Sequence, residues 1–177
     1  FIIAAAFAVD VAYMQLSRTE LRTATDAAAR AGVKTLSMSQ NQTTARAAAV
    51  AAAAKNNVAG VGLKLTNDQI EIGKGAQSNS TSRFKFTAGG NQPNAVRVTG
   101  KRTASSAAGP VGLLLGRMLG TTTFEPVHIA TSTQLDRDIC LVVDRSGSMM
   151  WSLDGSKISG GACAKPNMTK SRWGGLY

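Results

Sequence analysis

The spacing of apolar and polar positions changes along this chain, and each spacing predicts a different kind of element. The first nine residues, FIIAAAFAV, are apolar and uncharged. From residue 11 to residue 36, apolar or small residues then recur at intervals of three, four or seven. That spacing marks one face of a helix. The pattern predicts a single long helix over residues 1–36, packed through Met14, Leu21, Ala24, Ala28 and Ala31.

The apolar front of this helix predicts a contact with lipid or with other helices. A helix that spans a bilayer needs about 20 apolar residues, so we interpret the nine residues as the remaining end of a membrane-inserted helix. Small residues four positions apart, as at Ala24 and Ala28, allow a second helix to approach closely. An ordinary amphipathic core helix is the alternative. It explains the polar part of the pattern better than the apolar front.

A second helix is predicted by the alanine-rich stretch from Ala45 to Lys55, because alanine has the highest helix propensity. The preceding segment SMSQNQTT offers Ser, Asn and Thr as capping residues, and Asn56 and Asn57 suit a C-terminal stop. The short polar link between the two predicted helices indicates an antiparallel pair that packs through alanines. The alternative is an alanine-rich surface helix that frays.

The middle of the chain changes to the two-residue period of half-buried strands. The alternating pairs are Ile70/Ile72, Phe84/Phe86 and Val96/Val98. A further strand is predicted around Val127 and Ile129, at an edge or with an irregular start because of Pro126. His128 alternates with these two residues and is therefore expected to face away from the apolar side. We expect a small antiparallel sheet from this pattern.

Between these strands, the segment GPVGLLLGRMLG predicts a short helix. Pro110 suits a first helical turn and Gly120 suits a stop. Gly112 and Gly116 weaken this interpretation, because glycine inside a helix is unfavourable.

The last part of the chain has a different character. A polar segment over residues 132–137 is predicted to be a linker, and the run ICLVV that follows is typical of a strand buried on both faces. Asp144, Ser146 and Ser148 then alternate across a turn. Their oxygens suit a hard divalent cation such as Mg²⁺, and the carboxyl end of such a strand is where ligands bind in α/β sheets. The alternative is an ordinary turn, since Asp, Ser and Gly are common turn residues.

Composition and charge argue against nucleic-acid binding, metal sites built from cysteine and histidine, and catalysis. The net charge is +10, but the basic residues form no run of five. They also do not alternate with aromatic residues, as they do on surfaces that bind single-stranded nucleic acids. We therefore expect no nucleic-acid partner. The chain has two cysteines and one histidine, which argues against a disulfide framework, a zinc site and a Ser–His–acid catalytic set. We expect no enzymatic activity.

Two resemblances match the two ends of the chain. DICLVVDRSGSM resembles the start of a von Willebrand factor type A domain, whose metal-ion-dependent adhesion site carries Asp-x-Ser-x-Ser, matched by Asp144, Ser146 and Ser148. The resemblance implies Mg²⁺ or a similar divalent cation, provided that the domain is complete. It also implies a protein partner that supplies an acidic group to the open coordination position. The family takes further ligands from later loops, so residues 138–177 are expected to be a truncated start of the domain. A vestigial metal site is the alternative.

The N-terminal segment FIIAAAFAVDVAYMQLSRTELRTATDAAARAGV is similar to the start of the tight-adherence (Tad) pilus-assembly family. That family carries a membrane-anchoring, pilin-like helix, and its TadG-like branch joins the helix to a von Willebrand type A domain. The resemblance implies the cell envelope of a bacterium. It also implies an inner-membrane anchor with a periplasmic or extracellular domain, or a place in an extracellular filament.

These patterns together predict an α+β protein in four parts: a membrane or assembly helix (1–36), a small α+β domain (37–131), a linker (132–137) and the type A segment (138–177). The function they favour is a pilus-associated, membrane-anchored surface subunit that presents a metal-dependent binding domain. The alternative is a structural filament subunit that polymerises through residues 1–36. The expected partners are the membrane, neighbouring pilin-like helices and further copies of the chain.

Overall fold

A computed structural model describes residues 2–79 and 81–134. The chain divides into two units, Phe1–Asp136 and Arg137–Tyr177, and the second unit lies outside the described residues. The first unit contains, in chain order, α1 (Ile2–Ser39), α2 (Gln42–Ala54), β1 (Asn57–Val58), β2 (Val61–Gly62), β3 (Ile70–Ala76), β4 (Lys85–Ala88), β5 (Ala95–Lys101), β6 (Val111–Gly112), β7 (Thr123–Phe124) and β8 (Val127–Thr133). The predicted α+β class is confirmed.

The four longer strands make one antiparallel sheet in the order β4-β3-β5-β8, and β1-β2 and β6-β7 are separate hairpins. Ile70 pairs with Val98 and Ile72 with Val96, while Val98 also pairs with Ala130 on its other side. Directly opposed residues point to the same face of a sheet. These five side chains are buried and form the sheet's contribution to the core, against which α1 packs.

The two helices form an antiparallel pair with alanine at the contact. The chain leaves α1 through Gln40, whose φ of 49° lies in the left-handed region. Asn41 then caps α2, because its side-chain oxygen accepts hydrogen bonds from the amides of Thr43 (2.9 Å) and Thr44 (3.3 Å). The buried stripe of α2 consists of alanines four positions apart, at Ala45, Ala49 and Ala53.

Close approach between α1 and its neighbours depends on small residues of α1. A Cβ placed on Gly32 would lie 3.4 Å from the Cβ of Ala49 and 3.1 Å from Cγ1 of Val96. Gly32 therefore lies where α1 meets α2 and the sheet at once. A larger residue at this position would push these elements apart.

The predicted helix over residues 110–120 is wrong. Val111 and Gly112 form β6 and pair with Phe124 and Thr123 of β7, and the helical part is a single 3-10 turn, Gly116–Leu119. Val111 is fully buried in this hairpin, so tertiary packing overrides the local helical pattern. Gly120 does end the turn, with a φ of 75°.

The predicted orientation of His128 is also wrong. His128 pairs with Gly100 on the core face of β5, and its Nε2 lies 4.0 Å from Oδ1 of Asp26 on α1. Val127 and Ile129 instead lie on the opposite, uncovered face, with 53% and 57% of their surface exposed. Alternation separates the two faces of a strand, but it does not say which face the helices cover.

Strand β8 lies at an edge of the sheet, in agreement with the expectation from Pro126. The strand continues to Thr133. Ser132 and Thr133, which the sequence pattern assigned to the linker, therefore belong to the sheet.

Candidate membrane and assembly surface

Helix α1 has two parts that differ in what surrounds them. From Asp10 onward one face is buried, whereas between Ala4 and Val9 only Ala6 is buried. Phe7 and Val9 are 58% and 46% exposed. An apolar helix end that its own domain leaves uncovered is a candidate surface for lipid or for another helix. Among the described residues, no helix is both long enough and apolar enough to cross a membrane.

Asp10 marks the boundary between these two parts. Its side chain is fully buried, and its carboxylate accepts hydrogen bonds from the backbone amides of Leu114 (3.0 Å) and Leu115 (3.1 and 3.2 Å). A buried carboxylate is tolerated only where hydrogen bonds replace its hydration. Sequence reasoning did not assign a role to Asp10. Its position as the first charged residue after nine apolar ones was the available signal.

The β6-β7 hairpin lies along the N-terminal half of α1. At its base, the guanidinium carbon of Arg18 lies 5.0 Å from the centre of the Phe124 ring, a cation–π contact. At its other end, Leu114 and Leu115 bind Asp10 as described above. Arg18 and Asp10 are eight positions apart, or about 12 Å along a helix. The hairpin therefore points toward the apolar end of α1.

A buried arginine fixes the start of this hairpin. Arg102 is only 4% exposed. It donates hydrogen bonds to the carbonyl oxygens of Gly109 (2.8 Å), Pro110 (3.3 Å) and Val58. The planar guanidinium can serve several acceptors at once. It joins β1 to the segment that enters β6.

The residues predicted to form the packing face of α1 lie on its inner side to different degrees. Leu21, Ala24 and Ala28 are buried and belong to the same apolar cluster as the alanines of α2. Met14 and Ala31 are half-buried. The buried face also includes the polar residues Ser17 and Thr25, whose hydroxyls donate to the carbonyls of Tyr13 (2.9 Å) and Leu21 (2.6 Å).

The β1-β2 hairpin contacts α1 through an acidic side chain as well as through the buried Val58. Oε2 of Glu20 accepts a hydrogen bond of 2.7 Å from the amide of Ala59. Ala59 and Gly60 form the turn between β1 and β2 with φ values of 52° and 79°. The sequence pattern gives no contact for Glu20, yet its carboxylate positions this turn.

A shallow polar cavity lies between α1 and the start of β8. Arg18, Arg22, Glu125 and His128 are among its lining residues. Two arginines and one glutamate place charges of both signs in this lining. Within residues 2–79 and 81–134, no three His, Cys, Asp or Glu side chains come together as a metal site would require.

The sheet face away from α1 carries a stacked cation. The guanidinium carbon of Arg97 lies 4.1 Å from the centre of the Phe86 ring, and Nη1 of Arg97 lies 3.7 Å from Oε2 of Glu71. Val127 and Ile129 extend this face toward β8. Asp144, Ser146 and Ser148, the predicted metal ligands, lie outside the described residues.

The amino-terminal helix is also where the chain is similar to a known family. Residues 1–35 match the family model described as putative Flp pilus-assembly TadE/G-like. No curated protein and no solved structure matches the chain. The matched segment covers the apolar end, Asp10 and the buried face of α1 up to Thr35. The matched segment thus includes the apolar end of α1 that the rest of the domain leaves exposed.

Proposed function

We propose that this protein is a pilus-associated subunit of the bacterial cell envelope, held in the membrane by the apolar end of α1. The match of residues 1–35 supports the pilus-associated role and suggests an envelope or pilus location. The membrane anchor is inferred from the difference in burial between the two parts of α1. The helix is packed from Asp10 onward, while Phe7 and Val9 project apolar surface into solvent.

The energetics favour lipid as the environment of this helix end. Burying an exposed apolar side chain gains about 1.5–3 kcal/mol, and Phe7 and Val9 are two such side chains. Asp10 is the first charge, and the amides of Leu114 and Leu115 satisfy its carboxylate. The polar part of the protein therefore begins where the apolar segment ends.

A lysine at position 5 tests the anchor. A charge placed deep in a bilayer costs about 2.5–3.5 kcal/mol on insertion scales, so Ala5→Lys is expected to move the protein from the membrane fraction to the soluble fraction. The matched control is Ala47→Lys, the same change at an exposed position of α2. The anchor is contradicted if Ala5→Lys stays in the membrane fraction as Ala47→Lys does.

We further propose that residues 138–177 contribute to a metal-dependent binding domain that this anchor presents to a partner. The support is the donor set of Asp144, Ser146 and Ser148 directly after an apolar run. One carboxylate and two hydroxyls supply at most half of the six oxygens that Mg²⁺ prefers, and water or later parts of the domain supply the others. An acidic group of a partner is suited to an open position, so the proposed role is adhesion and not catalysis.

Calorimetric titration of the full-length protein with Mg²⁺ tests this second proposal. The parent is expected to release binding heat that Asp144→Ala abolishes. Asp154→Ala, in the same polar segment but outside the Asp-x-Ser-x-Ser spacing, should titrate like the parent. Equal heats from the parent and Asp144→Ala, or no heat from either, would leave Asp144 as a turn residue.

A further inference from the structure

We infer that the tip of the β6-β7 hairpin, residues 113–120, is a second membrane-contacting element that sits on the surface of an anionic phospholipid bilayer beside α1. We call this segment the hairpin tip. The inference rests on the proposed anchor, because the apolar end of α1 sets the level at which the bilayer begins.

The contact with Asp10 sets the level of the hairpin tip along α1. Side chains of a helix lean toward its N-terminus. The Asp10 carboxylate, and with it the amides of Leu114 and Leu115, therefore lies beside the turn that precedes Asp10. That turn contains Phe7 and Val9 of the apolar end. The hairpin tip thus lies at the polar boundary of the apolar segment, which is the level of lipid headgroups when the segment is in the bilayer.

The hairpin tip is a tightly folded segment that exposes apolar side chains. Its backbone is closed by hydrogen bonds from Leu113 N to Thr122 O (2.9 Å), from Thr121 N to Gly116 O (3.0 Å) and from Met118 N to Leu115 O (2.9 Å). A Cβ at Gly116 would overlap the carbonyl oxygen of Thr121. The segment is thus tightly folded, and its apolar exposure does not come from a lack of structure.

The hairpin tip presents apolar side chains next to a cation. Leu114 is 63% exposed, Met118 is 52% exposed, and Leu115 is 37% exposed. Arg117, between them, is also exposed. Apolar side chains next to a cation fit the interface of an anionic bilayer, where the chains enter the acyl boundary and the guanidinium binds lipid phosphates. The acid at this level, Asp10, is buried and hydrogen-bonded, so it does not face the lipid.

The test compares two pairs of exposed apolar residues. Leu114→Ser/Met118→Ser removes the apolar surface of the hairpin tip. Val127→Ser/Ile129→Ser removes a similar exposed surface on the open sheet face and is the matched control. Binding of the whole chain to vesicles of phosphatidylglycerol and phosphatidylethanolamine is measured by flotation. The first pair of substitutions is expected to weaken vesicle binding about tenfold, because serine removes part of the apolar area that each side chain buries in the bilayer. The control pair should bind like the parent.

Hydrogen exchange with and without vesicles separates this inference from the anchor. If the inference holds, the amides of residues 113–120 exchange more slowly in the presence of vesicles, together with those of residues 2–10. Protection of residues 2–10 alone would overturn the inference and leave the anchor standing, and protection of neither segment would overturn both. Slower exchange at residues 113–120 on raising the protein concentration without lipid would show that a second copy covers the tip, which also overturns the inference.

Discussion

Asp10 and Leu115 are 105 positions apart in the sequence, yet both carboxylate oxygens of Asp10 accept a hydrogen bond from the Leu115 amide, at 3.1 and 3.2 Å. Leu114 adds a third bond to the same carboxylate. This contact attaches the β6-β7 hairpin to the first part of α1 that packs against the domain. It fixes where the apolar end of the helix leaves the rest of the protein.

Replacing this carboxylate should loosen the hairpin. Asp10→Ala leaves two backbone amides without an acceptor, and an unsatisfied buried polar group costs about 1–3 kcal/mol. We expect a loss of that size in the free energy of unfolding, measured by denaturant titration, and faster hydrogen exchange at Leu114 and Leu115. Asp10→Asn keeps one acceptor oxygen and should lose less.

The control for Asp10 is Glu125→Ala, which removes an exposed carboxylate near the same hairpin. Surface substitutions of this kind usually change stability by less than about 0.5 kcal/mol. If Asp10→Ala is as stable as Glu125→Ala, the carboxylate does not hold the hairpin.

A glycine on β5 determines how closely α1 approaches the sheet. A Cβ at Gly100 would overlap Oγ1 of Thr25 and lie 3.2 Å from Cδ1 of Leu21. Gly100→Ala is therefore expected to cost about 1–3 kcal/mol, the usual range for overpacking. Gly112→Ala is the matched control, because nothing lies within 4 Å of the added Cβ and the φ of Gly112 is not positive.

A double variant identifies the cause of the Gly100 effect. Thr25→Ala removes the hydroxyl that the new methyl group would meet. The combined loss of Thr25→Ala/Gly100→Ala should therefore be smaller than the sum of the two single losses, as is found for residues in contact. Strict additivity would show that the strain at residue 100 has another source.

The alanine seam of α1 gives a second packing prediction. Ala28 is fully buried in the cluster that α1 shares with α2. Ala28→Leu should lower the free energy of unfolding by about 1–3 kcal/mol. Ala12→Leu makes the same change at an exposed position of the same helix and should have almost no effect. Equal melting temperatures for the two variants would contradict a closely packed seam at Ala28.

Sequence pattern predicted the elements whose local preference agrees with their packing. Helices α1 and α2 follow from an uninterrupted helical period and an alanine-rich run, and Ile70, Ile72, Val96 and Val98 are buried as their alternation indicated. In these segments propensity and burial favour the same structure, which is the condition for a local pattern to be reliable.

The pattern was wrong where a long-range pairing decided the structure. The segment after Pro110 has helical spacing, but pairing of Val111 with Phe124 makes it a hairpin. His128 faces α1 because its register partner is Gly100, on the face of β5 that α1 covers. Asp10 could not be assigned from the sequence alone, because its two donors lie more than a hundred positions away. Neither a spacing nor a local propensity contains that information.

The depth of α1 in a bilayer tests the membrane anchor most directly. Tryptophan is placed at Phe7 or at Leu16, which are both more than half exposed and lie about 13 Å apart along the helix. Trp151 and Trp173 are replaced by Phe in both variants, and vesicles carry lipids brominated in the acyl chains. The anchor predicts strong quenching of tryptophan at position 7 and weak quenching at position 16. Equal quenching at the two positions, or none at position 7, would contradict it. If tryptophan at position 7 is not quenched and copies of the chain cross-link to one another through α1, a filament subunit that polymerises through residues 1–36 is favoured instead.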